Sequence, residues 1–147
     1  MIAFFDASAL IYRIEGAEPL ATDVRSALAN IAKKHPNIAT GLSRLTCLEC
    51  RIGPMKSNNG AILKVYDDFF ARTDLVWVEL NETVIELATH IRVHHGLKTP
   101  DALQAASCLQ LGRDHIFLTG DAAFKRVAGL SVKLVGGGTL LPIDICP

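Results

Sequence analysis

The feature that most constrains this chain is an alternation of short, largely apolar runs with helix-forming segments. Ile2-Ala3-Phe4-Phe5, Ile38-Ala39-Thr40, Leu75-Val76-Trp77-Val78, Ile116-Phe117-Leu118 and Val132-Lys133-Leu134-Val135 are three or four residues long. That is strand length, and several carry the β-branched and aromatic residues that favour strands. Between them lie amphipathic stretches. A helix is expected to start at Ala7. Leu20 to Lys34 places Leu20, Val24, Ala27, Leu28 and Ile31 at helical spacing, with Lys33-Lys34 in the last turn, where cations suit the dipole. Ser43 to Ile52 reads as a helix with Leu45, Leu48 and Ile52 on one side, ended by Gly53-Pro54.

Further helices are expected from about Asn59 to Phe70, from Glu82 to about Val93 behind an Asn81 cap, and from Thr99-Pro100-Asp101 to Leu111, with a short helical stretch around Ala122 to Val127. Thr99 can cap, Pro100 suits a first turn and Asp101 meets the positive end of the dipole. Short apolar strands separated by helices predict an α/β fold: a three-layer α/β/α sandwich around a mainly parallel sheet of four to five strands. No repeat or linker interrupts residues 1–147, which read as one domain.

Composition narrows the class. Half the residues are apolar, which excludes intrinsic disorder, and no run reaches the length of a membrane span. Residues 1–5 reach Asp6 without a basic segment or a signal-type apolar core, so a cytoplasmic, membrane-free protein is expected. Four cysteines do not suggest a secreted disulfide framework. Lys and Arg number 15, as do Asp and Glu. Zero net charge at first argues against a nucleic-acid-binding protein.

In parallel α/β folds ligands bind beyond the carboxyl ends of the strands. Asp6 and Asp121 stand directly after two strands, Glu49 lies at the edge of a helix's apolar face, and Asp101 lies in a helical first turn. Taken singly, the three aspartates could be ordinary helix N-terminal acids. Together, four carboxylates at one sheet edge would repel unless cations were present, and hard Mg²⁺ or Mn²⁺ suits carboxylate oxygen. Ser8 and Thr119 are hydroxyls beside these acids, able to orient a carboxylate or a water.

Four segments then carry a resemblance: Phe5-Asp6-Ala7-Ser8-Ala9-Leu10, Ser43-Arg44-Leu45-Thr46-Cys47-Leu48-Glu49, Leu97-Lys98-Thr99-Pro100-Asp101-Ala102-Leu103 and Phe117-Leu118-Thr119-Gly120-Asp121-Ala122-Ala123-Phe124. In order and spacing they resemble the four motifs of PIN-domain ribonucleases, most closely the VapC-type toxins of toxin–antitoxin modules. The resemblance implies Mg²⁺- or Mn²⁺-dependent endonucleolytic cleavage of RNA, with Asp6, Glu49, Asp101 and Asp121 as the catalytic and metal-holding cluster. It also implies a homodimer and a cognate antitoxin that enters the active-site groove. On this reading Asp6, Asp101 and Asp121 hold the metal or metals, and Glu49 positions a metal-bound water, directly or through a second ion. Two positions depart from the family pattern: Gln104 stands where His is frequent, and Gly120 where Asn or Asp is common.

Arg13, Arg51, Lys56, Lys98, Lys125 and Arg126 fall near the acidic motifs and form a candidate RNA-backbone track. With the four site acids set aside, 15 cations face 11 other acids, an excess of four, so neutrality no longer excludes an RNA substrate. Cys47 and Cys50 have redox or zinc-pair spacing but no second pair, and read as structural. His90 and His94 are an i, i+4 pair without the glutamate of a zinc protease. Gly136-Gly137-Gly138-Thr139 lacks the Lys of a P-loop and reads as a turn. Two other functions compete. A haloacid-dehalogenase-like phosphatase would want a second Asp where Ser8 stands, and a non-catalytic binding module such as a receiver domain would want an acceptor Asp after Val78, where Glu79-Leu80 follows.

Overall fold

The computed structural model describes residues 1–136. Five strands, β1 (Ile2–Phe5), β2 (Ala39–Ser43), β3 (Leu75–Val78), β4 (His115–Thr119) and β5 (Val132–Leu134), form one sheet in the order β3-β2-β1-β4-β5. Every pairing is parallel, and Phe5 stands level with Leu42 on one side and Leu118 on the other. Six helices connect them: α1 (Ala7–Glu15), α2 (Leu20–Lys34), α3 (Arg44–Lys56), α4 (Gly60–Phe70), α5 (Glu82–His95) and α6 (Thr99–Leu109), with a 3₁₀ turn at Ala122–Arg126 between β4 and β5.

The alternation of side chains along each strand sorts the molecule into three layers. Phe5 and Leu118 face a cluster built with Leu10, Val24, Ile31, Cys50 and Tyr66 from α1 to α4. Phe4 and Phe117, one residue earlier on the same strands, face the other way, onto Val84, Ala88, Ile91, Ala102, Ala105 and Phe124 from α5, α6 and the 3₁₀ turn. Both faces of the sheet are covered, which is why the strands read as continuous apolar runs.

Three local expectations are corrected. α3 does not stop at Gly53-Pro54 but continues to Lys56, with Pro54 buried inside it. The proline ring keeps a helical φ and removes only one donor near the helix end, and Ser57 N–H closes the last turn on Gly53 O at 3.0 Å. Nor does α3 bury Leu48 and Ile52, which are 56% and 39% exposed. Its inward stripe is Thr46, Cys50 and Pro54, small and partly polar residues at i, i+4 and i+8, which hydropathy does not highlight. Finally, Thr99 is the first residue of α6 rather than its cap; its hydroxyl accepts a 2.6 Å bond from Arg92 Nη1, and the helix ends at Leu109 instead of Leu111.

Candidate active site

The four acids arrive at one place by four routes. Parallel pairing of β1 with β4 brings their carboxyl ends together, and Asp6 and Asp121 follow those ends. β2 delivers α3, whose half-buried Glu49 faces the same edge, and Asp101 stands in the first turn of α6. All four line a cleft of about 380 Å³, together with Ser8, Lys98, Gln104 and Arg126.

Asp6 is the buried floor of this cleft, only 5% exposed. It caps α1, its Oδ1 accepting from Ala9 N–H at 2.9 Å and from the Ser8 hydroxyl at 2.7 Å. Its Oδ2 accepts from the Thr119 hydroxyl at 2.6 Å. Ser8 Oγ in turn accepts the Gly120 N–H at 3.0 Å, and Thr119 Oγ1 accepts the Asp121 N–H at 3.0 Å. Each hydroxyl thus donates to Asp6 and accepts from the turn after β4, locking the carboxylate to the neighbouring strand. Asp121 is itself a cap, its Oδ1 accepting from Ala123 N–H at 2.8 Å. Capping is what holds both side chains at the sheet edge.

Burial lifts the Asp6 carboxyl from 3.8 to about 6 against the lowering effect of its three hydrogen bonds, and the Asp101 charge adds to the rise. Glu49 is also raised, chiefly by burial, with a hydrogen bond from Gln104 opposing and Asp101 adding. Asp101 is raised by burial and by the Asp121 charge, with Lys98 opposing. The Asp101 carboxylate thus interacts with those of Asp6, Glu49 and Asp121. Among the described residues, no three carboxylate, cysteine or histidine side chains stand close enough to share one ion.

The family model for the PIN domain matches residues 3–130, spanning β1 to the segment before β5. The chain belongs to the PIN-domain family. Solved structures with the same fold include VapBC2 from Rickettsia felis bound to a promoter DNA fragment, at TM-score 0.71 and 18% identity over 92% of this chain and 99% of that one. A toxin–antitoxin complex from Klebsiella pneumoniae matches at TM-score 0.64 and 22% identity, covering 87% and 94% of the two chains. FitAcB from Neisseria gonorrhoeae matches at TM-score 0.63 and 20% identity, covering 90% and 96%. No curated protein matches the chain by sequence.

The two departures from the PIN pattern now have physical settings. A side chain at Gly120 would place its Cβ 2.5 Å from Tyr12 Oη and 2.7 Å from Tyr12 Cε2, so the buried Tyr12 ring fills the space an Asn or Asp would need. Gln104 is buried and reaches α3, its Nε2 donating to Thr46 Oγ1 at 2.9 Å and to Glu49 Oε1 at 2.8 Å. Its contact with Glu49 had no sequence signal beyond its place one turn after Asp101.

Of the six candidate RNA-contacting cations, Lys98 and Arg126 line the PIN-domain cleft and the other four do not. Arg13 lies over the rings of Phe5 and Phe69, 5.5 and 5.4 Å from their centroids. Arg51 pairs with Asp67 at 3.7 Å, and Lys56 and Lys125 are exposed. Cys50 is buried, with its thiol pushed far up by burial, and Cys47 is half-buried, neither being a cleft residue. His90 and His94 stack at 6.0 Å on the exposed face of α5, away from the cleft. Of the glycine run, Gly136 turns at φ 70°, and Gly137 to Thr139 lie outside the described residues.

Proposed function

We propose that this PIN domain is a metal-dependent endoribonuclease and the toxin of a type II toxin–antitoxin pair. The observation that carries the reading is the convergence of Asp6, Glu49, Asp101 and Asp121 on one cleft, with Asp6 buried at its floor. An all-oxygen, all-anionic donor set fits a hard cation such as Mg²⁺ or Mn²⁺. Mg²⁺ commonly keeps several waters and takes only one or two carboxylates, which accords with acids that share a cleft without closing on a single point. Asp6, Asp101 and Asp121 would hold the metal, one or two of them directly and the rest through its waters. When bound, it supplies charge neutralisation at the phosphate and a more acidic water.

The chain's own residues do the rest. Lys98 and Arg126, at the cleft wall, draw the RNA backbone against the acids. Ser8 and Thr119 keep Asp6 in a single orientation. Glu49, with its raised carboxyl, orients the attacking water toward phosphorus and takes up its proton.

An antitoxin partner is supported by the neighbouring structures, which are toxin–antitoxin complexes. Homodimerisation is supported by Leu48, Ile52 and Met55, exposed on successive turns of α3. No helix among the described residues is long and apolar enough to cross a membrane. The test is to incubate the purified protein with tRNA and rRNA in Mg²⁺ or Mn²⁺. Internal cleavage that EDTA stops and Asp6→Asn abolishes is the expected result; cleavage at the wild-type rate by Asp6→Asn overturns it.

A further inference from the structure

Gln104 carries an imbalance that its packing does not require. Both hydrogens of its Nε2 are spent on α3, one on Thr46 Oγ1 and one on Glu49 Oε1, while its Oε1 is buried without a partner. Buried carbonyl oxygens nearly always find a donor, and a leucine of similar volume would leave none unmatched. Turning the amide over would set its oxygen against the Glu49 carboxylate, so Glu49 dictates which way the group points. Thr46, wholly buried, supplies a fixed anchor. Among the described residues, Glu49 has no other hydrogen bond or ion pair.

We infer that Gln104 is a positioning residue of the site, acting through Glu49. Anchored on Thr46, the amide pins one carboxylate oxygen of Glu49 to the cleft wall and leaves the other unengaged. This inference rests on the nuclease reading for what Glu49 then does, but the pinning itself is separately measurable. A free glutamate would sample several rotamers on the helix edge, and restricting it in advance is the contribution assigned to Gln104.

The test uses the paired variant T46V Q104L, since Gln104→Leu alone would strand the buried Thr46 hydroxyl. With Mn²⁺ and RNA, kcat is expected to fall about 10- to 100-fold, the range seen when a supporting hydrogen bond is removed, while KM stays within about twofold. Melting temperature should be unchanged or higher, because an unmatched buried oxygen is gone. Added to Glu49→Gln, the same pair should cost nothing further, and Gln104→His, which keeps a ring N–H, should retain part of the rate. An unaltered kcat in T46V Q104L, or a loss that adds in full to that of Glu49→Gln, overturns the inference. If the wild-type protein cleaves no RNA, the nuclease reading fails, and the pinning is read from the Glu49 carboxyl ¹³C resonance. Pinning predicts that this signal moves to a freely rotating glutamate's value in T46V Q104L; an unmoved signal overturns it.

Discussion

The cleft has two walls built on different principles. At the β1/β4 corner, Asp6 is tied by a backbone amide and two hydroxyls, and both hydroxyls are tied again to the backbone of the next strand's turn. At the α3/α6 wall, Glu49 hangs from one amide whose own oxygen has no partner. The corner holds its carboxylate by capping within α1 and by the pairing of β1 with β4, two strands 113 residues apart whose backbone ladder fixes the contact. The wall depends on two helices meeting across 55 residues of sequence. Rigidity in this site thus comes from a backbone ladder and redundant hydrogen bonds on one side, and from a single polar contact on the other.

The largest effects should come from breaking the corner at its centre. Asp6→Asn is expected to lower RNA cleavage on the order of 10²- to 10³-fold in a fixed-time assay with Mn²⁺, the scale of losing a principal charge-stabilising group. One step out, Ser8→Ala and Thr119→Val leave the acid in place but loosen it. Each should cost about 10- to 100-fold in kcat, and the two together less than the product of the singles, since they serve the same carboxylate. Full additivity in that pair would mean that the two hydroxyls do not act through Asp6.

The same corner predicts how the metal-free protein responds to pH. Burial raises the folded Asp6 carboxyl from 3.8 to about 6, so its contribution to stability is fully present below 3.8 and is lost as pH climbs through about 6. At neutral pH the ionised, buried group costs on the order of 3 kcal/mol. Asp6→Asn should therefore melt several degrees higher than wild type at pH 7.5 in EDTA, with the gap narrowing toward pH 4 in differential scanning calorimetry. A wild-type protein that melts higher than the variant at pH 7.5 would contradict it. The smallest effects belong to the cleft cations: Lys98→Ala and Arg126→Ala should each lower the salt dependence of RNA binding by about one unit of slope, while Lys56→Ala and Lys125→Ala, outside the cleft, should not.

What could be read from the sequence follows the same division. Asp6 and Asp121 were legible because an acid directly after an apolar strand is fixed at the sheet edge by β geometry, and the hydroxyls at Ser8 and Thr119 sit within two residues of them. The three-layer fold was legible from the strands, which are apolar on both faces. α3 was misread because its buried stripe is Thr46, Cys50 and Pro54, and its most hydrophobic residues face outward. That error hid the role of Gln104, whose partner Thr46 can be recognised only once the inward face of α3 is known. The Gly120 departure likewise gained its cause from Tyr12, 108 residues distant in sequence and adjacent in space.

The central claim is that acids from four elements act as one cation site. Titrating the metal-free protein with Mn²⁺, followed by electron paramagnetic resonance, tests it most directly when wild type is run beside Asp6→Asn and Asp101→Asn. Wild type is expected to bind saturably, with affinity at least about tenfold weaker in both variants, although the two residues lie on opposite walls. Equal Mn²⁺ affinity in all three proteins would contradict the claim.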